Sequence, residues 1–124
     1  MKRIVQRPDG CFAACIAMIT GLPISKVPHP TKKELTQDQW HQYNNRVVLW
    51  LHKRGWFKVW IGSGQFKPKG YSIIHGMSPR KIGHCCIAKD GKILHDPYPT
   101  GGGLKTVEGF EILVPLMQQK EPTP

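Results

Sequence analysis

The hydrophobic pattern of the sequence changes its period once, near Gly55, and this change constrains the fold more than any other feature. Before Gly55, apolar residues recur at helical spacing in two stretches. One begins near Cys11 and is stopped by Gly21, and the other follows a capping box formed by Thr36 and Gln39. After Gly55, short apolar runs punctuated by Gly and Pro predict five strands, at residues 56–61, 71–75, 84–89, 92–96 and 110–115. Helices first and strands afterwards predict an α+β fold, with N-terminal helices packed on an antiparallel sheet.

The length and composition fit a single domain. With 124 residues, 40% of them hydrophobic, the chain is long enough to build one hydrophobic core. We assign this domain to residues 1–117 and predict that the polar, Pro-rich residues 118–124 form a flexible C-terminal tail. The longest apolar run, residues 11–22, is shorter than the roughly 20 residues that span a bilayer. We therefore expect no transmembrane helix and no membrane partner.

Charge and cysteine content bound the partners and the compartment. A net charge of +10 predicts attraction to phosphates, anionic surfaces or acidic proteins, without distinguishing among them. The N-terminus starts with Met1-Lys2-Arg3 as a secretion signal can, but we do not expect one, because Pro8, Asp9 and Gly10 stand where its apolar stretch would lie. A cytoplasmic, reducing compartment is therefore expected, in which the four cysteines stay as free thiols.

Cys11 is the candidate nucleophile. It follows a Pro-Asp-Gly turn and would occupy the first turn of the first helix. Unpaired N–H groups and the positive end of the helix dipole favour a thiolate at that position. Cys15, one turn further along an apolar face, is expected to behave as a small buried hydrophobe. A core role for Cys11 is the alternative that its position alone leaves open.

His84 opens one predicted strand and Asp96 closes the next, so the turn between them decides whether the two side chains meet. A two-residue turn at Asp90 and Gly91 puts His84 and Asp96 on opposite faces of the sheet. A three-residue turn with Gly91 in a left-handed bulge position puts them directly opposite each other. In that register the carboxylate would orient the imidazole, whose other ring nitrogen would face a nucleophile. A structural cross-strand pair is the alternative.

Gln6 completes a possible catalytic set. Its side-chain amide could join the backbone N–H of Cys11 in stabilising an oxyanion, and an exposed loop glutamine is the alternative. The order of these side chains along the chain, Gln6, Cys11, His84 and Asp96, favours thiol hydrolase chemistry more than any one of them does.

Two segments of the sequence resemble papain-like peptidases. Residues 6–19, QRPDGCFAACIAMI, resemble the Gln…Asp-Cys-Gly-x-Ala-Cys segment of the papain-like peptidases that cleave double-glycine bacteriocin leaders. Residues 83–91, GHCCIAKDG, followed by LHDP at 94–97, are similar to the His-bearing strand and the following Asp-Pro of those peptidases. The segments SPRKIGH at 78–84 and HDPYP at 95–99 also look like small stand-alone papain-like proteins of bacteria and their phages.

The resemblance implies a papain-like fold and a cysteine-dependent peptidase or amidase without a cofactor. Deamidase and transamidase chemistry, which the same side chains can carry out, stay open as alternatives. Carried over by position, it makes Cys11 the nucleophile, His84 the base, Asp96 the residue that orients the base, and Gln6 the oxyanion donor. Five residues separate Gln6 from Cys11 where six are expected in the peptidases, and Phe12 replaces their glycine. The implied partner is a peptide or protein substrate, which the net charge of +10 would favour if it is acidic.

Two other functions compete with hydrolysis. A structural zinc site has enough potential ligands but poor spacing, because adjacent cysteines on a strand point to opposite faces; the ligands would come from Cys11, Cys15, His84, Cys85, Cys86 and His95. We expect Cys85 and Cys86 to be packing residues. A basic binding module with a degenerate papain-like site is the main alternative. It would bind nucleic acid or an acidic protein through interleaved basic and aromatic residues such as those at 53–60.

Overall fold

The computed structural model describes residues 1–5, 10–30, 35–62 and 67–116. Within these residues, helix α1 spans Cys11–Thr20 and helix α2 spans Gln37–Lys53, with a short 3₁₀ helix at Ile24–Lys26 between them. Five strands follow: β1 Trp56–Gly62, β2 Tyr71–Met77, β3 Gly83–Lys89, β4 Lys92–His95 and β5 Thr106–Pro115. The strands pair antiparallel in the order β1-β5-β2-β3-β4. The α+β prediction, with N-terminal helices on an antiparallel sheet, is therefore confirmed.

Helix α1 is buried along most of its length because nearly every one of its residues is apolar. All residues from Phe12 to Met18 are buried, and they pack on β2 and β3. The helix ends where the sequence predicts, at Gly21, which adopts a left-handed φ of 76° and donates its N–H to the Ala17 carbonyl at 2.8 Å. Cys11, at the other end of α1, is thereby held against the sheet.

Helix α2 begins with the predicted capping box and covers β1. Gln39 N–H donates to Thr36 Oγ1 at 3.1 Å, and Thr36 N–H donates to Gln39 Oε1 at 2.9 Å. Tyr43, Val47 and Leu51 are buried, as their spacing predicts. Trp40 belongs to the same periodic set but stays 39% exposed, because it lies in the first turn, beyond the edge of the core.

The sheet has a helix-covered face and an opposite face, each with its own apolar cluster. Cys85 and Ile87 belong to the cluster beneath α1, whereas Cys86 and Ala88 pack with Phe110 in the second cluster. This alternation confirms that the adjacent cysteines of β3 point to opposite faces.

Strand β5 begins four residues before the predicted start, at Thr106. The first three residues of β5 are exposed, and the sequence there lacks the apolar run that marks the rest of the strand. The sequence pattern therefore placed the start of the strand too late. They pair with the end of β2 after a register shift, and the backbones approach so closely that a Cβ at Gly76 would lie 1.8 Å from the Thr106 carbonyl oxygen. Only glycine fits this contact.

The β3–β4 hairpin matches neither of the two registers considered from the sequence. Its turn has two residues, Asp90 and Gly91, with φ of 53° and 83°, which is the left-handed pair of a type I′ turn. Lys89 therefore faces Lys92, but a bulge then shifts the register by one, so that Ile87 faces His95. Beyond this shift, odd-numbered residues face odd-numbered residues, so the even-numbered His84 and Asp96 lie on one face and meet there.

Two predictions from the sequence extend beyond the residues that the structure describes. The flexible tail predicted at residues 118–124 lies outside them, and the assignment of residues 1–117 to one domain stays a prediction. No helix in the described ranges combines the length and the apolar character needed to cross a membrane.

Candidate functional site

Cys11 is the first residue of α1, as the sequence predicts. Gly10 precedes it as the N-cap residue, and no side-chain hydrogen bond caps this end of the helix among the residues that the structure describes. The Cys11 side chain is half-buried, whereas Cys15, one turn along the helix, is fully buried. Of the two α1 thiols, Cys11 is therefore the more exposed.

His84 and Asp96 form a direct, nearly buried pair. His84 Nε2 lies 2.6 Å from Asp96 Oδ1, and the two side chains are 2% and 8% exposed. Both carboxylate oxygens are further held by backbone donors, since Tyr98 N–H donates to Oδ1 at 2.9 Å and Gly103 N–H donates to Oδ2 at 2.7 Å. Burial raises the pKa of Asp96, but these hydrogen bonds outweigh it, and the pKa lies below its usual range.

His84 also interacts with the Cys11 thiol. Because Nε2 faces Asp96, the ring nitrogen left for the thiol is Nδ1. Burial lowers the pKa of His84, whereas its hydrogen bonds to Cys11 and Asp96 raise it, and the net shift is upward. The imidazole therefore sits between a thiol and a carboxylate, where it can take a proton from one side while the other side stabilises its positive charge.

Neighbouring groups have opposite effects on the pKa of the Cys11 thiol. A hydrogen bond with the neighbouring Cys85 thiol and burial raise the pKa of Cys11, and His84 lowers it; the net pKa is well above its usual value. The surroundings of Cys11 thus oppose the thiolate that its place at a helix N-terminus predicts. Among the groups around Cys11, His84 is the one that lowers the pKa of its thiol.

The adjacent residues Cys85 and Cys86 flank the site from opposite faces of β3. Cys85 Sγ lies 3.9 Å from Cys15 Sγ and also contacts Cys11. Burial raises the pKa of Cys86 to about 12, and its hydrogen bond to Asp96 adds to the rise. The prediction that both are packing residues misses these contacts. Strand alternation was the signal that could have found these contacts. It places Cys86 on the same face of β3 as His84, and Cys85 on the opposite face.

Tyr98 and Arg80 lie behind the His84–Asp96 pair. The Tyr98 ring packs edge-on against the His84 ring, with centroids 6.2 Å apart. The guanidinium of Arg80 stacks on the face of Tyr98, with Cζ 3.4 Å from the ring centroid. Both residues fall in segments that carry the family resemblance, but no periodic or spacing pattern singles them out.

A second polar cluster lies one strand away from the group formed by Cys11, His84 and Asp96. Glu111 is buried, accepts from His75 Nε2 at 2.6 Å and forms an ion pair with Lys58. Burial raises the pKa of Glu111, but His75 and Lys58 outweigh it and the pKa lies below its usual range. Phe12, the residue after Cys11, packs on this cluster, with its ring 5.6 Å from His75. Sequence reasoning missed the cluster because its members come from three different strands.

Three side chains of the site could offer ligand atoms to a metal ion. Atoms of His84, Cys86 and Asp96 lie within 4.8 Å of one another. Two ligand atoms on one tetrahedral zinc ion stand roughly 3.3 Å apart, as follows from bond lengths near 2.1 Å. The 2.6 Å contact between His84 and Asp96 is shorter than that and has the length of a hydrogen bond. Of the other zinc ligands considered from the sequence, Cys11, Cys15, Cys85 and His95 are not part of this group, and His95 contacts the Ile4 carbonyl at 2.9 Å.

The structure thus brings together Cys11, His84 and Asp96, three of the four predicted site residues. Gln6, the predicted oxyanion donor, lies outside the described residues. A thiol, an imidazole and a carboxylate in this order can carry out nucleophilic attack with general acid–base assistance.

No family model matches the sequence, no curated protein matches it, and no solved structure matches this fold.

Proposed function

We propose that this protein is a cysteine-dependent hydrolase with a papain-like arrangement of its catalytic groups. One observation carries the proposal: a half-buried thiol at the start of α1 interacts with an imidazole whose Nε2 is held by Asp96 at 2.6 Å. Buried acid–base pairs of this kind also occur as structural pairs, but a structural pair needs no thiol on its other side.

The proposed reaction proceeds through an acyl-enzyme. His84 accepts the Cys11 proton as Sγ attacks the carbonyl carbon of an amide, and Asp96 stabilises the resulting imidazolium. His84 then donates that proton to the leaving amine as the C–N bond breaks, which leaves a thioester on Cys11. Water, deprotonated by His84, hydrolyses the thioester and restores the thiol. The backbone N–H of Cys11 and the side chain of Gln6 are the proposed oxyanion donors.

The proposed substrate is a peptide or protein. A net charge of +10 favours an acidic one, because summed positive charge raises the local concentration of anionic partners. The proposal includes a cytoplasmic, reducing location. A free thiol nucleophile persists there, and no disulfide joins any of the four cysteines, all of which the structure describes.

An activated acyl donor tests the chemistry without knowledge of the natural substrate. We expect a p-nitrophenyl ester to acylate Cys11, detected as one acyl mass on its tryptic peptide, and to turn over. Cys11→Ala and His84→Ala should lose both acylation and turnover while remaining folded. His41→Ala, which removes an exposed histidine of α2, serves as the matched control and should retain both. Equal acylation of Cys11 in wild type and His84→Ala, or none in wild type, would refute the proposal.

A basic binding module with an inactive site is the second candidate. It is favoured by the Cys85 contact and the burial that raise the pKa of Cys11, since both weaken the nucleophile. In this case Cys11 stays unacylated, and the protein binds single-stranded DNA or an acidic protein with an affinity that falls steeply as salt rises. Fluorescence anisotropy with labelled DNA at two salt concentrations measures this directly.

A further inference from the structure

The strongest unassigned feature is the guanidinium of Arg80. It stacks on Tyr98, and its Nη1 donates to the Gly101 carbonyl at 3.4 Å. Its Nε and Nη2 are buried and have no hydrogen-bond partner within the part of the chain that the structure describes. Burying a cation with so few hydrogen bonds is unfavourable, so placing the Arg80 guanidinium on Tyr98 lowers the stability of the fold.

The loop that Arg80 contacts is the one that holds the catalytic carboxylate. Residues 97–103 supply both backbone N–H groups that bind Asp96, from Tyr98 and Gly103. The ends of this loop are anchored, since Pro97 is buried and Leu104 packs on the second apolar cluster. Its last three residues, 101–103, are glycines with left-handed φ, and they have no side chains with which to pack. Arg80 contacts the first of these glycines from the β2–β3 turn.

We propose that Arg80 is a positioning residue for Asp96. Its guanidinium clamps residues 97–103 by stacking on Tyr98 and by holding Gly101, and this fixes the two N–H groups that aim the carboxylate at His84. The catalytic consequence rests on the function proposed above, whereas the positioning itself does not. Lysine cannot replace Arg80 in this role, because an ammonium is not planar and cannot both stack on a ring and reach a carbonyl at its edge.

The direction in which the pKa of His84 changes when Arg80 is replaced distinguishes positioning from other roles of Arg80. The groups that face His84 are the Cys11 thiol from α1, the Cys86 thiol from β3, and Asp96 and the Tyr98 ring from the segment after β4. If Arg80 positions Asp96, its loss weakens the His84–Asp96 bond, and the pKa of His84 falls. If Arg80 acts only as a nearby positive charge, its loss removes a repulsion and the pKa of His84 rises. If it serves only the stability of the fold, the pKa stays unchanged.

The experiment follows the His84 Cε1–H resonance by NMR as a function of pH in the full-length protein. We expect Arg80→Ala and Arg80→Lys to shift the titration to lower pH, and Tyr98→Leu to do the same. Tyr98→Phe keeps the ring and should titrate like wild type. Turnover of the acyl donor should fall about tenfold in the first three variants, as expected when general-base catalysis is impaired.

Arg54→Ala is the matched control. Arg54 stacks on Trp50, with Cζ 4.2 Å from the ring, and its Nη1 donates to the Trp50 carbonyl at 3.3 Å, but it lies at the end of α2. This variant should leave the His84 titration unchanged. An unchanged or raised pKa of His84 in Arg80→Ala, or global unfolding of Arg80→Lys, would overturn the positioning role. A lowered pKa in a protein that forms no acyl-enzyme would instead keep the positioning and remove the proposed function.

Discussion

Cys11 and Cys15 are the same type of residue on the same helix, but their surroundings differ. The two thiols lie one turn apart on α1, yet Cys11 is half-buried and interacts with His84, whereas Cys15 is enclosed in the core. Cys85 contacts both of them from β3. Cys85, more than 70 positions away in the sequence, is therefore the largest influence that raises the pKa of Cys11, whereas burial is the largest influence that raises the pKa of Cys15.

At the residue scale, we expect Cys85→Ala to activate Cys11. The Cys85 thiol is the largest influence that raises the pKa of Cys11, so its removal should lower that pKa and leave the lowering effect of His84 in place. Alkylation of Cys11 by iodoacetamide should become severalfold faster at pH 7, and its pH midpoint should move down. Peptide mass spectrometry across a pH series measures both.

Cys86→Ala is the comparison variant, because it removes the neighbouring thiol on the opposite face of β3. It should leave the alkylation midpoint of Cys11 near that of wild type. A midpoint in Cys85→Ala that stays in place or moves up would show that the contact between Cys85 and Cys11 does not govern the nucleophile.

At the scale of the elements, the β3–β4 hairpin is the unit that assembles the acid–base pair. Its two-residue turn alone would leave His84 and Asp96 on opposite faces, and the bulge where the register shifts between Ile87 and Ala88 corrects this by one residue. The sequence of the turn, Asp90-Gly91, predicts the turn type. Nothing in the alternation of β4 marks the bulge, because Lys92, Ile93 and Leu94 are all exposed.

Gly91→Ala should destabilise this hairpin. Gly91 has a φ of 83°, and a Cβ there would lie 2.5 Å from the Lys67 Cβ. The strained backbone and the contact together should lower the free energy of unfolding by about 1–2 kcal/mol. Gly83→Ala, on the same hairpin with open space around it and no left-handed φ, should change it by less than about 0.5 kcal/mol. Urea denaturation compares the two, and equal losses would contradict the strained turn.

At the scale of the whole molecule, two buried carboxylates link stability to pH. Asp96 and Glu111 both have pKa values below their usual range, because histidine and other donors hold the charged forms. Groups with a depressed folded-state pKa contribute stability that is present above the unfolded pKa and is lost as pH falls through the folded pKa. The raised pKa of His84 acts in the opposite direction, since its contribution is lost as pH rises. The fold should therefore lose stability as pH falls from the usual carboxyl range through the lower folded-state pKa values of these two groups.

Glu111→Gln should weaken this acid dependence. At neutral pH the variant should lose about 3 kcal/mol, because Lys58 and His75 are left without their buried counter-charge. The slope of unfolding free energy against pH in the acid range should nevertheless become shallower than in wild type, which urea denaturation at a series of pH values measures. Glu108→Gln, at an exposed position of the same strand, should change neither quantity. An unaltered slope in Glu111→Gln would assign the acid dependence to other groups.

The sequence by itself determined the class of fold, the two helices with their caps, the approximate positions of the five strands, and the placement of Cys11 at a helix start. These follow from local geometry, since helical and strand periodicity, caps and turn residues act over a few neighbours. Only the tertiary structure decided the bulge that unites His84 with Asp96, the contact of Cys85 with Cys11, the stack of Arg80 on Tyr98, and the Lys58–Glu111–His75 cluster. Each of these joins side chains from separate elements, and their geometry is fixed by how the elements pack rather than by spacing along the chain.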